Sequence, residues 1–187
     1  VHERYAFDPE HRVRIALYEV MSKCIESYGK KFFSNVIKQV LFGLIGALYD
    51  PIAAVASAAR HVFTVLFPKE KTIELCTFAH NLILDTILEL WDHGIQDVAK
   101  RATIEGYSKE DIEWIQSLSA VYINNNLAFL VKNTGKCEFI REHQNRLVHS
   151  TPTKDPYVRR SLYQLAKAVY DRDTQLASHL SSFAFKD

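Results

Sequence analysis

Apolar residues recur along this chain at intervals of three and four, the spacing that lines one face of an α-helix, and runs of strict alternation are absent. The first stripe joins Val13, Leu17, Val20, Cys24 and Ile25. Asp8-Pro9 stands ahead of it and predicts a helix start. The aspartate accepts from free N–H groups, and the proline fills the first helical position, where no donor is needed. Gly29 predicts the stop, as a left-handed cap. A second helix is predicted over residues 31–48, on Phe33, Val36, Ile37, Val40, Leu41, Leu44, Ile45 and Leu48. Gly43 and Gly46 lie inside it. Each weakens a helix by up to about 1 kcal/mol relative to alanine, and close approach of a neighbouring helix is the expected compensation.

Asp50-Pro51 repeats the aspartate-proline start, for a third helix through Val55, Ala59, Val62 and Leu66 that stops at Pro68. A long fourth helix is predicted over residues 71–93, closed by Gly94. The pattern then breaks, and residues 95–108 read as a connection or insertion. Ser108 and Asp111 form a capping box, with Asp in place of the usual Glu or Gln. They open a fifth helix that runs to about residue 132. Gly135 separates it from a sixth, over residues 138–149. Asp155-Pro156 starts a seventh, and Leu176, Leu180 and Phe183 mark the last.

Three helices thus begin alike, and Val-Arg follows twice, as Val13-Arg14 and Val158-Arg159. Asp8 and Asp50 are 42 residues apart, within the period of about 40–47 of HEAT and armadillo units. The expected fold is all-α, a HEAT/armadillo-like solenoid of helical hairpins forming a single domain over residues 1–187. Valines of the repeated starts face the core, and aspartates cap helices or pair with arginines of adjacent repeats. One hairpin cannot bury its apolar face alone, so stacking supplies the core. The chain opens on Val1 rather than Met, and a piece of a longer protein is the expectation.

Composition narrows the function classes. A chain of 187 residues needs neither disulfide nor metal to fold. The net charge of +1 sets up no strong overall field toward nucleic acid or membrane. Cys24, Cys76 and Cys137 are odd in number and widely spaced, as in reduced cytosolic proteins. The longest apolar stretch, residues 36–48, is too short and includes Lys38 and Gln39, whereas a membrane span needs about 20 apolar residues.

No nucleophile elbow, phosphate-binding loop, zinc helix or paired acidic motif occurs, so no catalytic residue, metal, cofactor or small-molecule substrate is expected. His80 falls on an apolar stripe and reads as a core histidine bonded to a carbonyl. His143 and His149 share a face too poorly to hold one metal. Asn124, Asn125 and Asn126 read as solvated residues with one hydrogen-bonded core amide, in preference to a recognition face. Tyr157, Tyr163 and Tyr170 read as core or inter-helix packing, in preference to a base-stacking platform. Among the basic pairs, Arg14 and Arg159 suit internal ladders, leaving Arg12, Arg141, Arg146 and Arg160 on solvated faces. Lys30-Lys31 and Lys100-Arg101 stand at helix junctions without a structural partner, and they are the candidates for contact with RNA or a protein partner.

Several segments resemble the N-terminal domain of listerin, a large RING-type E3 ubiquitin ligase. They are Tyr5 to Asp8 with Arg12-Val13-Arg14, Gly43 to Asp50, Val55 to Phe63 with Phe67-Pro68, Ile112 to Leu130, and Lys154 to Tyr163. Each motif alone is weak; their order and spacing are more specific. The resemblance implies a role in ribosome-associated quality control. In that family the N-terminal arm docks on a large ribosomal subunit obstructed by a nascent chain, beside the factor that senses peptidyl-tRNA. A distant RING then ubiquitinates the stalled peptide. This chain would be the cytosolic docking arm, without catalytic residues of its own. The alternative is a HEAT-repeat scaffold or adaptor with a peptide-binding groove; a helical enzyme has no supporting motif.

Overall fold

The computed structural model describes residues 5–34, 36–94, 106–149 and 154–185, and all regular structure among them is helical. Helix α1 (His11–Tyr28) begins later than Asp8-Pro9 predicts. Glu10 is its N-cap and accepts from the Arg12 N–H, while Asp8 accepts from the Glu10 N–H at 2.9 Å and from the Tyr107 hydroxyl at 3.2 Å. The cause is Arg14. Its guanidinium takes the carbonyls of Asp8 and Pro9, which a continuous helix would use for its own ladder.

The predicted second helix is two. Gly29, at φ 76°, ends α1, and α2 (Lys30–Phe33) is a single turn that plants Phe33 in the core. The chain then turns, and α3 (Ile37–Ala47) enters the core, with every residue from Val40 to Ala47 buried. Both pieces have helical periodicity, so the corner between them left no mark in the hydrophobic pattern.

Helix α4 (Ala53–Leu66) follows Asp50-Pro51 and stops before Pro68, and a 3-10 turn (Lys69–Lys71) leads into α5 (Thr72–Glu89). Residues Leu90–Gly94 continue α5 as a π turn. Helix α6 (Lys109–Thr134) starts at the Ser108–Asp111 capping box and ends at Gly135, left-handed at φ 72°. Helix α7 (Glu138–His149) follows. Helix α8 (Pro156–Tyr170) has Asp155 as N-cap and proline in its first turn, and α9 (Thr174–Ala184) is capped by Asp173.

Helix α6 is the axis of the core. Every residue from Ser117 to Val131 is buried, and α3, α5 and α8 pack around it. A helix covered on all sides has no amphipathic stripe. Helix α1 lies against α4, so two helices entered through aspartate-proline are neighbours, and α9 packs on both α8 and α7. The arrangement is compatible with a helical solenoid. No described helix is long and apolar enough to cross a membrane.

Candidate functional site

The chain has two kinds of polar group to place: those fixed in the core and those left for a partner. The largest buried set joins three helices. Arg14 of α1 and Asp50, ahead of α4, both have fully covered side chains. The guanidinium grips the carboxylate with two hydrogen bonds, 3.2 Å from Nε and 3.3 Å from Nη2. Tyr122 of α6 donates to the same carboxylate at 2.8 Å, and the Ile52 N–H donates at 2.8 Å. Tyr18 donates to the Gly43 carbonyl at 3.2 Å. Burial first, then the charge of Asp50, pushes the Tyr18 hydroxyl well above the usual tyrosine range. Burial, Tyr18 and Asp50 push Tyr122 the same way, so both remain donors. This is the internal aspartate–arginine pairing expected of Arg14. It does not extend to Arg159, which is half-buried and makes no ion pair among the described residues.

All three asparagines of α6 are buried, against the expectation that most are solvated. The Asn125 side-chain amide donates to the carbonyls of Gly46 at 2.8 Å and Tyr49 at 3.3 Å. Asn126 donates to Phe42 and Tyr122 carbonyls at 3.0 and 2.9 Å, and Asn124 to the Ser161 hydroxyl at 2.9 Å. They tie α6 to backbone carbonyls within α3 and just beyond its end, and to α8. A central helix needs such polar groups because its neighbours' free carbonyls have no water to turn to.

The remaining candidates sort as follows. His80 is half-buried, but its Nδ1 has no hydrogen-bond partner, so the expected carbonyl bond is missing there; burial first, then Lys136, lowers its pKa. His143 stacks on Phe139 at 4.3 Å between centroids, and no cluster of metal-ligating side chains occurs among the described residues. The three cysteines are free; Cys76 and Cys137 are buried, and burial pushes the Cys76 thiol up to about 11. Arg141 pairs with Asp173 at 2.8 Å, and Arg146 pairs with Asp92 while lying over the Trp91 ring at 5.2 Å. Tyr157, Tyr163 and Tyr170 are exposed and outside the core, though Tyr157 makes the expected inter-helix contact, with Trp114 of α6.

Of the predicted contact residues, Lys30 and Lys31 are both exposed on α2. Phe33 anchors that turn in the core, and the Ser34 hydroxyl donates to the Lys31 carbonyl at 2.7 Å, so the backbone that bears the two lysines is held against the core. Lys100 and Arg101 lie outside the described residues. A polar cleft of about 370 Å³ opens between α7 and α9, lined among others by Arg141, Gln144, Asn145, Gln175 and His179.

Two positions escaped the sequence reading. Tyr122 follows Leu118 at helical spacing and carries no sequence signal of its bond to Asp50, and Gly46 points only to a helix in close approach. Trp91 owes its place beside Phe139, with near-parallel rings 6.1 Å apart, to a π turn that no periodicity predicts.

No curated protein and no solved structure matches the chain. A protein family does: E3 ubiquitin-protein ligase listerin, N-terminal domain, matched over residues 1–184. That span takes in the Arg14–Asp50–Tyr122 junction, all the described helices, and each segment that carries the resemblance, and the chain therefore belongs to the listerin N-terminal domain family.

Proposed function

We propose that this chain is the docking arm of a listerin-type E3 ubiquitin ligase: it binds large ribosomal subunits obstructed by a nascent chain, next to the factor that senses peptidyl-tRNA in the cytosol. Family membership over residues 1–184 carries this reading. The mechanism is positional. A packed helical body fixes one end of the ligase on the subunit, and the distant RING then meets the stalled peptide at high effective concentration. Lys30 and Lys31, held out on α2, supply phosphate or carboxylate contacts, and Lys100 and Arg101 are a second basic pair for the same purpose.

The test is co-sedimentation with purified large subunits across a salt series, with intact ribosomes as competitor. Binding that prefers free large subunits and weakens steeply with salt supports the reading. Exchanging Lys30, Lys31, Lys100 and Arg101 for glutamate weakens that binding while the melting temperature stays put. Unchanged co-sedimentation removes those residues from the site. Absence of binding at low salt favours the adaptor reading instead, for which the α7–α9 cleft is the observation in favour: its side-chain amides match the donors and acceptors of a peptide backbone.

A further inference from the structure

Tyrosines and cations alternate along the solvent face of α8. Tyr157, Arg160, Tyr163, Lys167 and Tyr170 follow one another at spacings of three, three, four and three residues, which keeps them on one side of a helix. All five are exposed, the tyrosines by 38, 43 and 61%. The opposite side, with Val158, Leu162, Leu165 and Val169, is the one that α8 buries.

Two of the rings are held in place. Tyr157 meets Trp114 edge to face at 5.7 Å and 90°, and Tyr163 meets Phe185 at 5.5 Å and 69°. An edge-to-face contact orients a ring while leaving much of its area open. A ring already oriented loses less freedom when a ligand stacks on it.

The charge of the chain is gathered here too. Between residues 154 and 172 stand five cations (Lys154, Arg159, Arg160, Lys167, Arg172) against two carboxylates (Asp155 and Asp171). The whole chain carries only +1, so the remainder is net negative. Of the two carboxylates, Asp155 is engaged by the Tyr157 and Val158 N–H groups at the start of α8. A dry contact with another apolar helix would bury Arg160 and Lys167 between the rings without counter-charges, at high cost. The face suits a partner that is anionic and carries flat rings.

We infer that this face of α8 binds an unpaired RNA strand, its bases stacking on Tyr157, Tyr163 and Tyr170 and its phosphates meeting Arg160 and Lys167. Along the helix the tyrosines are separated by about 9 and 10.5 Å. Stacked bases are spaced about 3.4 Å apart, so the bound strand is splayed, and a duplex, whose base faces are covered, does not fit. Stacking platforms flanked by cations bind single strands with little sequence preference. The inference goes beyond subunit docking through the basic pairs, which needs neither α8 nor stacking. A looped-out ribosomal RNA segment and a free RNA present the same chemistry.

The experiment is fluorescence anisotropy of the intact chain with a labelled oligouridine of about 12 nucleotides, a length within the usual range of such sites. The same RNA as a duplex and an acidic proline-rich peptide serve as competitors. The oligouridine is expected to bind, and the duplex to compete poorly. Y163A and Y170A each weaken binding about tenfold, Y170F restores it, and R160E/K167E reduces the salt dependence. All these variants melt with the parent chain, since the side chains are exposed. The inference is overturned by no binding at low salt, by equal binding of the duplex, by competition from the peptide alone, or by tyrosine variants that bind like the parent. Co-sedimentation with large subunits then assigns the source. Loss of both oligouridine and subunit binding in Y163A/Y170A places the strand on the ribosome. Loss of oligouridine binding alone points to a free RNA, and leaves subunit docking to be judged separately.

Discussion

The ring of Tyr122 occupies the space beside Gly46: a β-carbon added there would lie 2.5 Å from the ring's Cγ and Cδ2. That contact brings α6 onto α3 and lets the Tyr122 hydroxyl reach Asp50. It also sets two principles against each other. Helix propensity favours Gly46→Ala by up to about 1 kcal/mol. Overpacking a buried ring that is tied at its far end costs about 1–3 kcal/mol. The ring cannot swing aside without giving up Asp50, so packing wins. Gly46→Ala should lower the melting temperature and the denaturant midpoint, and a gain in stability would show that α6 sits further from α3.

Asp50 is the shared acceptor of Arg14, Tyr122 and the Ile52 N–H. Asp50→Ala leaves the guanidinium buried without its counter-charge, which costs about 3–5 kcal/mol. Replacing both partners with apolar residues, Arg14→Met with Asp50→Leu, removes the uncompensated charge. The double variant should therefore be more stable than Asp50→Ala, despite carrying more changes. Urea unfolding of the singles and the double decides this; additive losses would mean that the pair is not energetically coupled.

Much of this architecture was legible in the sequence, because helix ends carry local chemistry. The Ser108–Asp111 box, the Asp155-Pro156 start and the left-handed Gly135 are local features, and each falls where it was expected. Asp8-Pro9 and Asp50-Pro51 look the same locally, yet the helices begin at His11 and Ala53: Arg14 takes the carbonyls of Asp8 and Pro9, and the Asp50 carboxylate is shared by Arg14, Tyr122 and the Ile52 N–H. The same holds for Asn124 to Asn126, whose partners lie on α3, on α8 and on α6 itself. Tyr157 does pack between helices, on Trp114, but all three tyrosines are exposed, because periodicity gives a face without saying how far it is covered. Lys30 and Lys31 are exposed, and the function of that exposure is the part periodicity does not address.

Buried thiol and phenol groups predict a loss of stability in base. Burial raises the Cys76 thiol from 9.0 to about 11. Above pH 9 the unfolded chain releases this proton while the folded chain keeps it, so the folded state binds more protons and stability falls as pH rises. The loss begins near pH 9 and runs to about 11 for Cys76, with Tyr18 and Tyr122 adding to it above pH 10. His80, lowered by burial, acts at the other end: the unfolded chain takes up its proton below about pH 6.5, and stability falls as pH falls. Melting temperatures across pH 5 to 11 should show both flanks. Cys76→Ala should shallow the basic one, and an identical basic slope would mean that Cys76 ionises alike in both states.

Asn125 makes the sharpest case for polar groups in a buried helix. Its amide donates to Gly46 and Tyr49, carbonyls at the end of α3 where the helix itself provides no N–H. Asn125→Leu keeps the branched shape and the number of side-chain heavy atoms, and even gains helix propensity, but leaves both carbonyls buried or half-buried without that donor. Each stranded acceptor costs about 1–3 kcal/mol. Asn124 offers the comparison, since its amide donates to the Ser161 hydroxyl, a group that has a second bond to the Val158 carbonyl at 2.8 Å, and its own Oδ1 is buried without a partner. Asn124→Leu removes that orphaned oxygen as well as one bond. Asn125→Leu should therefore destabilise the fold more than Asn124→Leu, although the two positions are adjacent, equally buried in kind and identical in chemistry. Chemical denaturation of both variants measures the difference. Equal losses would indicate that burial of the asparagine side chain, rather than the carbonyls it satisfies on α3, sets the cost.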